Sequence, residues 1–181
     1  MLEDIYTAAD AVVEGSLMIT LLKHCDRVRS ASRAQLVNVI APIMAEEHGP
    51  AWRQTTFYPF AEAALHARGQ AYEAYGDVPA IDAVVTWDEQ ARTGLLLAVN
   101  RDANTPHTLT IDLSGLPGLP GLGTLALSKA QLLHEDDPYR TNTAEAPEAV
   151  TPQPLDIAMN ATGTCTATLP AISWISVEFH G

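Results

Sequence analysis

A chain of 181 residues, 47% hydrophobic and 18% charged, has room for one folded domain, or a small domain with an appendage, and does not have the composition of a disordered segment. Its formal net charge is −12 and its ten basic residues are scattered, which excludes phosphate-backbone binding on electrostatic grounds and leaves neutral ligands unaffected. The longest apolar run, Leu17 to Leu22, contains Thr20 and is far too short to span a bilayer, and the acidic start Met1-Leu2-Glu3-Asp4 has no signal-peptide pattern.

Ala8 to Cys25 reads as a helix: Val13, Leu17 and Leu21 form one i, i+4 row and Met18 and Leu22 widen it, so packing on two sides is expected. Asp26-Arg27 ends it. Arg29 to Val37 then reads as a strand whose small residues Ser30, Ala31, Ser32 and Ala34 suit a crowded barrel interior, and a loop spans Pro42 to Pro50. Trp52 to Arg68 reads as a second helix, with Pro59 expected to kink it or to mark its real start. After Gly69 the texture changes. Residues 81–87, Leu95 to Asn100, His107 to Leu113, Leu125 to Leu133, Leu155 to Met159, Thr164 to Leu169 and Ser173 to Phe179 read as about seven strands, separated by turns and by a Gly/Pro loop over 115–123. The expected architecture is mostly β: an antiparallel, jelly-roll-like sandwich over 71–181, preceded by an αβα segment over 1–70.

Several chemistries find no support. Gly121-Leu122-Gly123-Thr124-Leu125-Ala126 formally fits a dinucleotide fingerprint, but that motif must open a helix, and the residues after it read as a strand. The six histidines show no metal-binding spacing, and His134-Glu135-Asp136-Asp137 reads as a solvated loop, so no cofactor or metal is expected. Cys25 and Cys165 are isolated and are expected to be buried small hydrophobes in a reducing compartment. Glu46-Glu47 are adjacent on one loop and point different ways, so they make a poor acid and nucleophile pair.

The stretch Ala34-Gln35-Leu36-Val37-Asn38-Val39-Ile40-Ala41-Pro42-Ile43, followed by Gly49-Pro50-Ala51-Trp52-Arg53-Gln54-Thr55-Thr56-Phe57-Tyr58-Pro59-Phe60, resembles the closing β/α segment of the catalytic (β/α)8 barrel in glycoside hydrolase family 51 α-L-arabinofuranosidases. The resemblance covers most of the chain. Asp4 to Arg27 is similar to the seventh barrel helix, Arg29 to Gly69 to the eighth strand and helix, and residues 75–181 to the C-terminal sandwich. Val99-Asn100-Arg101, Asn142-Thr143 before Pro147, and the closing Leu169-Pro170-Ala171-Ile172-Ser173-Trp174 agree with it. His48 departs from it, standing where a second Gly is expected, and the Gly-Leu-Pro repeat of 115–123 is longer than the usual turn.

The resemblance implies a retaining exo-hydrolase of arabinose-containing oligosaccharides whose two glutamates lie on earlier strands, in sequence contexts that these 181 residues do not contain. The chain is therefore expected to be the C-terminal portion of a cytoplasmic enzyme and inactive alone. Gln35 is the candidate substrate-binding residue: it falls near the C-terminal end of the proposed strand, the face where barrel active sites form, and it matches the family glutamine that contacts the arabinofuranose ring. Asn38 is expected to brace the loop and Trp52 to pack. Helix faces left uncovered imply a homo-oligomer, with neither nucleic acid nor membrane as partner. The alternative is a non-catalytic sandwich module that binds sugar or protein. Such a module needs a planar row of exposed aromatics, for which only Trp87 and Trp174 lie in proposed strands.

Overall fold

Thr7 starts the first helix, α1 (Ala8–Lys23), through a capping box in the computed structural model, which describes residues 3–117, 125–160 and 163–181. The Asp10 N–H donates to Thr7 Oγ1 at 3.2 Å and the Thr7 N–H donates to Asp10 Oδ2 at 2.8 Å, so two amides with no helical partner are satisfied reciprocally. The helix ends two residues earlier than the sequence suggests, and Cys25 lies exposed in the following turn rather than buried.

The predicted strand over Arg29 to Val37 is not formed. Only Val37 makes a bridge, parallel to Ile43. A parallel barrel strand takes its hydrogen bonds from strands on either side, and no described segment runs beside this one. The predicted loop over 42–50 instead supplies half of a hairpin: β1 (Ile43–Ala45) pairs antiparallel with β2 (Ala51–Arg53), setting Met44 opposite Trp52. Trp52 therefore belongs to a strand and not to the second helix. His48, in the hairpin turn, has φ of 57°, the left-handed region where glycine carries no Cβ penalty. The second helix, α2, is shorter than expected at both ends (Phe57–His66), and Pro59 sits in its first turn, where a missing N–H costs no hydrogen bond.

Among the described residues nine strands come after α2, against about seven expected. They are β3 (Gln70–Glu73), β4 (Ile81–Asp88), β5 (Thr93–Asn100), β6 (His107–Asp112), β7 (Ala126–His134), β8 (Gln153–Pro154), β9 (Ala158–Met159), β10 (Thr164–Leu169) and β11 (Ser173–His180). A six-stranded sheet has the order β3-β4-β5-β11-β7-β8, a three-stranded sheet has β6-β10-β9, and every pairing is antiparallel. Of the single strand expected over Leu155 to Met159 only the last two residues form one, β9 in the small sheet; β8 precedes it in the large sheet, and the chain crosses between sheets through 155–157. Most of the predicted Gly/Pro loop, with the start of the dinucleotide-like fingerprint, falls at 118–124, outside the described residues. Ala126, the fingerprint's last residue, opens a strand.

The large sheet is covered on both faces, which explains its texture. Ala83, Val85, Trp87, Leu96, Ala98, Ile175, Val177 and Phe179 face the small sheet, whose Ile111, Cys165, Ala167 and Leu169 complete that core. The alternate residues Val84, Leu95, Leu97, Val99, Leu133 and Trp174 face the other way, onto Ala8, Ala11, Val12 and Ile19 of α1 and Ala63 of α2. Strands buried on both faces lose polar alternation, so Leu95 to Val99 is continuously apolar. Each such leucine stabilises the fold by about 1.5–3 kcal/mol. Gly15 permits the closest contact between helix and sheet, because a Cβ there would lie 2.3 Å from Trp174 Cδ1. Trp87 and Trp174 are both core residues, 2% and 1% exposed, so neither sheet face presents the aromatic row that a sugar-binding module needs.

Candidate functional site

Gln35 lies in the extended segment between α1 and the hairpin, with its side chain exposed and in no hydrogen bond among the described residues. Asn38, three residues on, has φ of 61°, and its carboxamide grips the first hairpin strand in both directions. Its Nδ2 donates to the Ala45 carbonyl at 3.0 Å and its Oδ1 accepts from the Ala45 N–H at 2.7 Å. Val39 comes next with φ of 58°, an uncommon conformation for a β-branched residue, costing of order 1–3 kcal/mol unless its surroundings impose it. They do impose it: the Asp4 N–H donates to the Val39 carbonyl at 2.8 Å and the Tyr6 hydroxyl donates to the Ile40 carbonyl at 3.0 Å. Burial raises the pKa of the Tyr6 phenol, which keeps that donor protonated.

Gln54, which sequence reasoning passed over, locks this arrangement from beneath. It is 1% exposed, accepts from the Tyr6 N–H at 2.9 Å, and donates to the Asp4 and Ala41 carbonyls at 3.1 and 2.8 Å. The signal was faint, since a glutamine between a strand and a helix carries no periodicity. Asn142 ties the sandwich to the hairpin by donating to the carbonyls of Arg53 and Val150, at 2.9 and 3.0 Å, while accepting from the Val150 N–H at 2.7 Å.

Between the hairpin and the loop that begins at Asn142 lies a cavity of about 520 Å³, lined by Trp52, Asn38, Glu46, Glu47, Thr143 and Glu145 among others. No Lys, Arg or His lines it, so its indole, amide and carboxylates suit a hydroxyl-bearing neutral ligand better than an anion. Gln35 is not among its lining residues; the structure brings together Asn38 and Trp52, not Gln35. Glu46 and Glu47 are both exposed at the hairpin turn.

Among the described residues one group of side chains has metal-ligand chemistry. The ligand atoms of Glu62, His66 and Glu178 lie within 4.8 Å of one another, and Ser176 Oγ donates to Glu62 at 3.1 Å. Lys129 Nζ already stands 3.8 Å from Glu62 and 3.6 Å from Glu178, so the protein's own cation balances the carboxylates. The residues of 134–137 find separate partners: His134 with Asp136 at 3.7 Å and Glu135 with Arg140 at 3.0 Å. Both cysteines are free, and burial pushes the Cys165 thiol up to about 11.

The model of the α-L-arabinofuranosidase C-terminal domain family matches residues 1–173. An intracellular exo-α-(1→5)-L-arabinofuranosidase from Bifidobacterium longum is 93% identical over 100% of this chain, which covers 34% of that protein. An exo-α-(1→6)-L-arabinofuranosidase from the same organism is 47% identical over 98% of the chain and 35% of its own length. The solved structure of a family 51 α-L-arabinofuranosidase from B. longum superposes with a TM-score of 0.90 at 89% identity, over 99% of this chain and 36% of that one. The arabinose complex of the Thermotoga maritima α-L-arabinofuranosidase shares the fold at a TM-score of 0.79 and 20% identity, over 99% of this chain and 40% of that one. The chain thus spans about a third of the length of the curated relatives it matches. With helices and sheets matched from the first residue to the start of β11, this chain belongs to the α-L-arabinofuranosidase C-terminal domain family.

Proposed function

We propose that this chain is the C-terminal portion of an intracellular, retaining exo-α-L-arabinofuranosidase acting on arabinose-containing oligosaccharides. Residues 1–70 contribute the last wall of the catalytic barrel and 71–181 the accessory sandwich. The observation that carries the reading is the 93% identity to a relative bearing that activity name, along the whole of this chain. Relatives named for α-(1→5) and α-(1→6) linkages both align along almost all of the chain, so the proposal is for the family's exo-α-L-arabinofuranosidase activity and names no linkage. No helix of the described residues is long and apolar enough to cross a membrane.

Within that enzyme, Gln35 hydrogen-bonds the furanose ring. Its carboxamide is exposed and makes no hydrogen bond among the described residues, so its donor and acceptor are available to sugar hydroxyls. The upstream two-thirds of the B. longum relative joined to this chain should hydrolyse 4-nitrophenyl α-L-arabinofuranoside. In that chimaera Gln35→Ala should lose about 1–3 kcal/mol of transition-state binding, seen in kcat/KM for every leaving group, with little change in melting temperature. Asn38→Ala should act mainly on stability, through its lost grip on Ala45. A folded chimaera without activity would overturn the enzyme reading. Unchanged kinetics in Gln35→Ala, with a lowered melting temperature, would reduce Gln35 to a structural residue.

A further inference from the structure

We propose that Glu62, His66 and Glu178 form a zinc site that staples helix α2 to the last strand of the large sheet. Glu62 and His66 stand at positions i and i+4 of α2, so their side chains lie one above the other on a single helix face. Glu178 meets them from β11, and the ligand atoms of all three lie within 4.8 Å of one another. His66 Nδ1 and Glu178 Oε2 stand 3.5 Å apart. Two ligands bonded to one tetrahedral zinc at about 2.0–2.1 Å are separated by roughly 3.4 Å, so this pair already has the spacing of one edge of the coordination sphere. Their side chains are 38% and 22% exposed and have room to close on Glu62, which is buried.

The lone pairs that an ion needs are uncommitted. Among the described residues the one hydrogen bond to these three side chains comes from Ser176 Oγ, which fixes Glu62 Oε1 at 3.1 Å and leaves Oε2 open. Lys129, the cross-strand neighbour of Glu178 on β7, balances the carboxylates only from 3.8 and 3.6 Å, beyond hydrogen-bond distance. It sets one ammonium against two carboxylates, and its side chain is 45% exposed, so it can swing out to water. One imidazole and two carboxylates, with a water from the adjoining cleft of about 510 Å³, suit four-coordinate Zn²⁺. Calcium takes more oxygen ligands, and magnesium demands an octahedron. None of these residues belongs to the segment 29–37, whose pairing an upstream barrel would complete, and Ala63, next to Glu62, anchors α2 in the core it shares with the sheet. The ion's role as a link between the last barrel helix and the accessory sandwich rests on the enzyme reading above; the site itself does not.

The test is a calorimetric titration with zinc, near neutral pH, of the chelator-treated chimaeric full-length enzyme, and of the 181-residue chain should the chimaera not fold. Glu178→Gln and His66→Ala should each weaken zinc binding at least about tenfold, since even an outer partner of a metal ligand is worth about 10–100-fold in affinity. Lys129→Met removes the competing cation and should tighten binding by roughly threefold or more. Saturating zinc should raise the melting temperature of the parent and not that of the Glu178→Gln protein. An absence of binding, or binding that the variants leave unchanged or that excess magnesium displaces, would overturn the proposal; the last two mark diffuse attraction to an acidic chain. None of these readouts needs turnover, so a folded chimaera that binds zinc without hydrolysing arabinofuranosides would remove the enzyme reading and leave the zinc site standing.

Discussion

Gly15→Ala should destabilise the fold even though alanine is the better helix former. Gly15 is buried in the middle of α1, and an added Cβ would lie 2.3 Å from Trp174 Cδ1, 3.0 Å from Nε1 and 3.2 Å from Cγ. Carbon atoms in good contact sit about 3.5–4.0 Å apart, so helix and ring must separate by more than about 1 Å. The indole cannot be the partner that yields: Trp174 is 1% exposed, on a strand bonded to β5 on one side and β7 on the other. Helix α1 must therefore lift, loosening its contacts with Val84, Leu97 and Val99 as well. Overpacking of this kind costs about 1–3 kcal/mol. A direct collision with a fixed ring belongs in the upper half of that range, and the helical gain of alanine over glycine offsets about 1 kcal/mol. A net loss of about 1–2 kcal/mol lowers the melting temperature of a chain this size by about 2–8 °C. Thermal melts followed by far-ultraviolet dichroism and tryptophan fluorescence measure it. Gly76→Ala is the control, because nothing lies within 4 Å of its added Cβ and its φ is not positive. A Gly15→Ala protein that melts at or above the parent, with its helix content intact, would show that α1 is not held closely against Trp174.

The purified chain alone should not turn over aryl α-L-arabinofuranosides, since the sequence contexts of the family's two catalytic glutamates do not occur in it, and the close carboxylates Glu62 and Glu178 are already shared by Lys129; enzyme-like turnover in a protease-checked sample would contradict this. It should associate, because Val13, Leu17, Leu36, Val37, Ile40 and Leu65 are all exposed apolar side chains. Light scattering that returns the monomer mass of 19.4 kDa at working concentration would count against it. Acid should weaken the sandwich through Asp102, whose carboxyl is held below its usual pKa chiefly by the backbone N–H groups of Asn104 and Thr105. A pKa lowered by folding contributes stability above the unfolded value of about 3.9 that is lost as pH falls through the lower folded one. Asp102→Asn should therefore flatten the acid limb of a stability–pH curve, and an unaltered limb would exclude this carboxylate as a source of it.

Chain texture revealed the helices and the long strands, because each buries a face whose period is written in its own residues. Where pairing depends on distant segments, that local record failed. Arg29 to Val37 has strand-like residues but no described neighbour to complete a ladder. Ile43–Ala45 and Ala51–Arg53 are three residues each, too short for alternation to register, and their pairing is visible only once the turn at His48 is known. Gln70–Glu73 is an edge strand bonded on one side to β4, exposed at both ends, and it fell where the chain was expected to change character. The ion pair of Arg33 with Glu14, at 2.6 Å, was equally hidden, because nineteen positions separate the two and an arginine in an otherwise small-residue stretch does not announce a buried partner.

The residues that made the chain recognisable divide by what their side chains do. Five carboxamides stand in the recognisable stretches: Gln35, Asn38, Gln54, Asn100 and Asn142. Four of them replace missing backbone partners. Asn38 serves both polar groups of Ala45, Gln54 bridges Asp4, Tyr6 and Ala41, and Asn142 joins Arg53 to Val150. Asn100, fully buried, donates to the carbonyls of Thr105, Leu169 and Pro170 and accepts from the Asp102 N–H. Those four fix loops that no ladder holds, and substituting any of them would leave buried backbone groups without partners, at about 1–3 kcal/mol each. Gln35 has the same chemical group and none of that work. Its amide is satisfied by nothing within the described residues. A carboxamide whose hydrogen bonds the described residues leave unused is free to spend them on a ligand, which is what the proposed contact of Gln35 with the sugar requires.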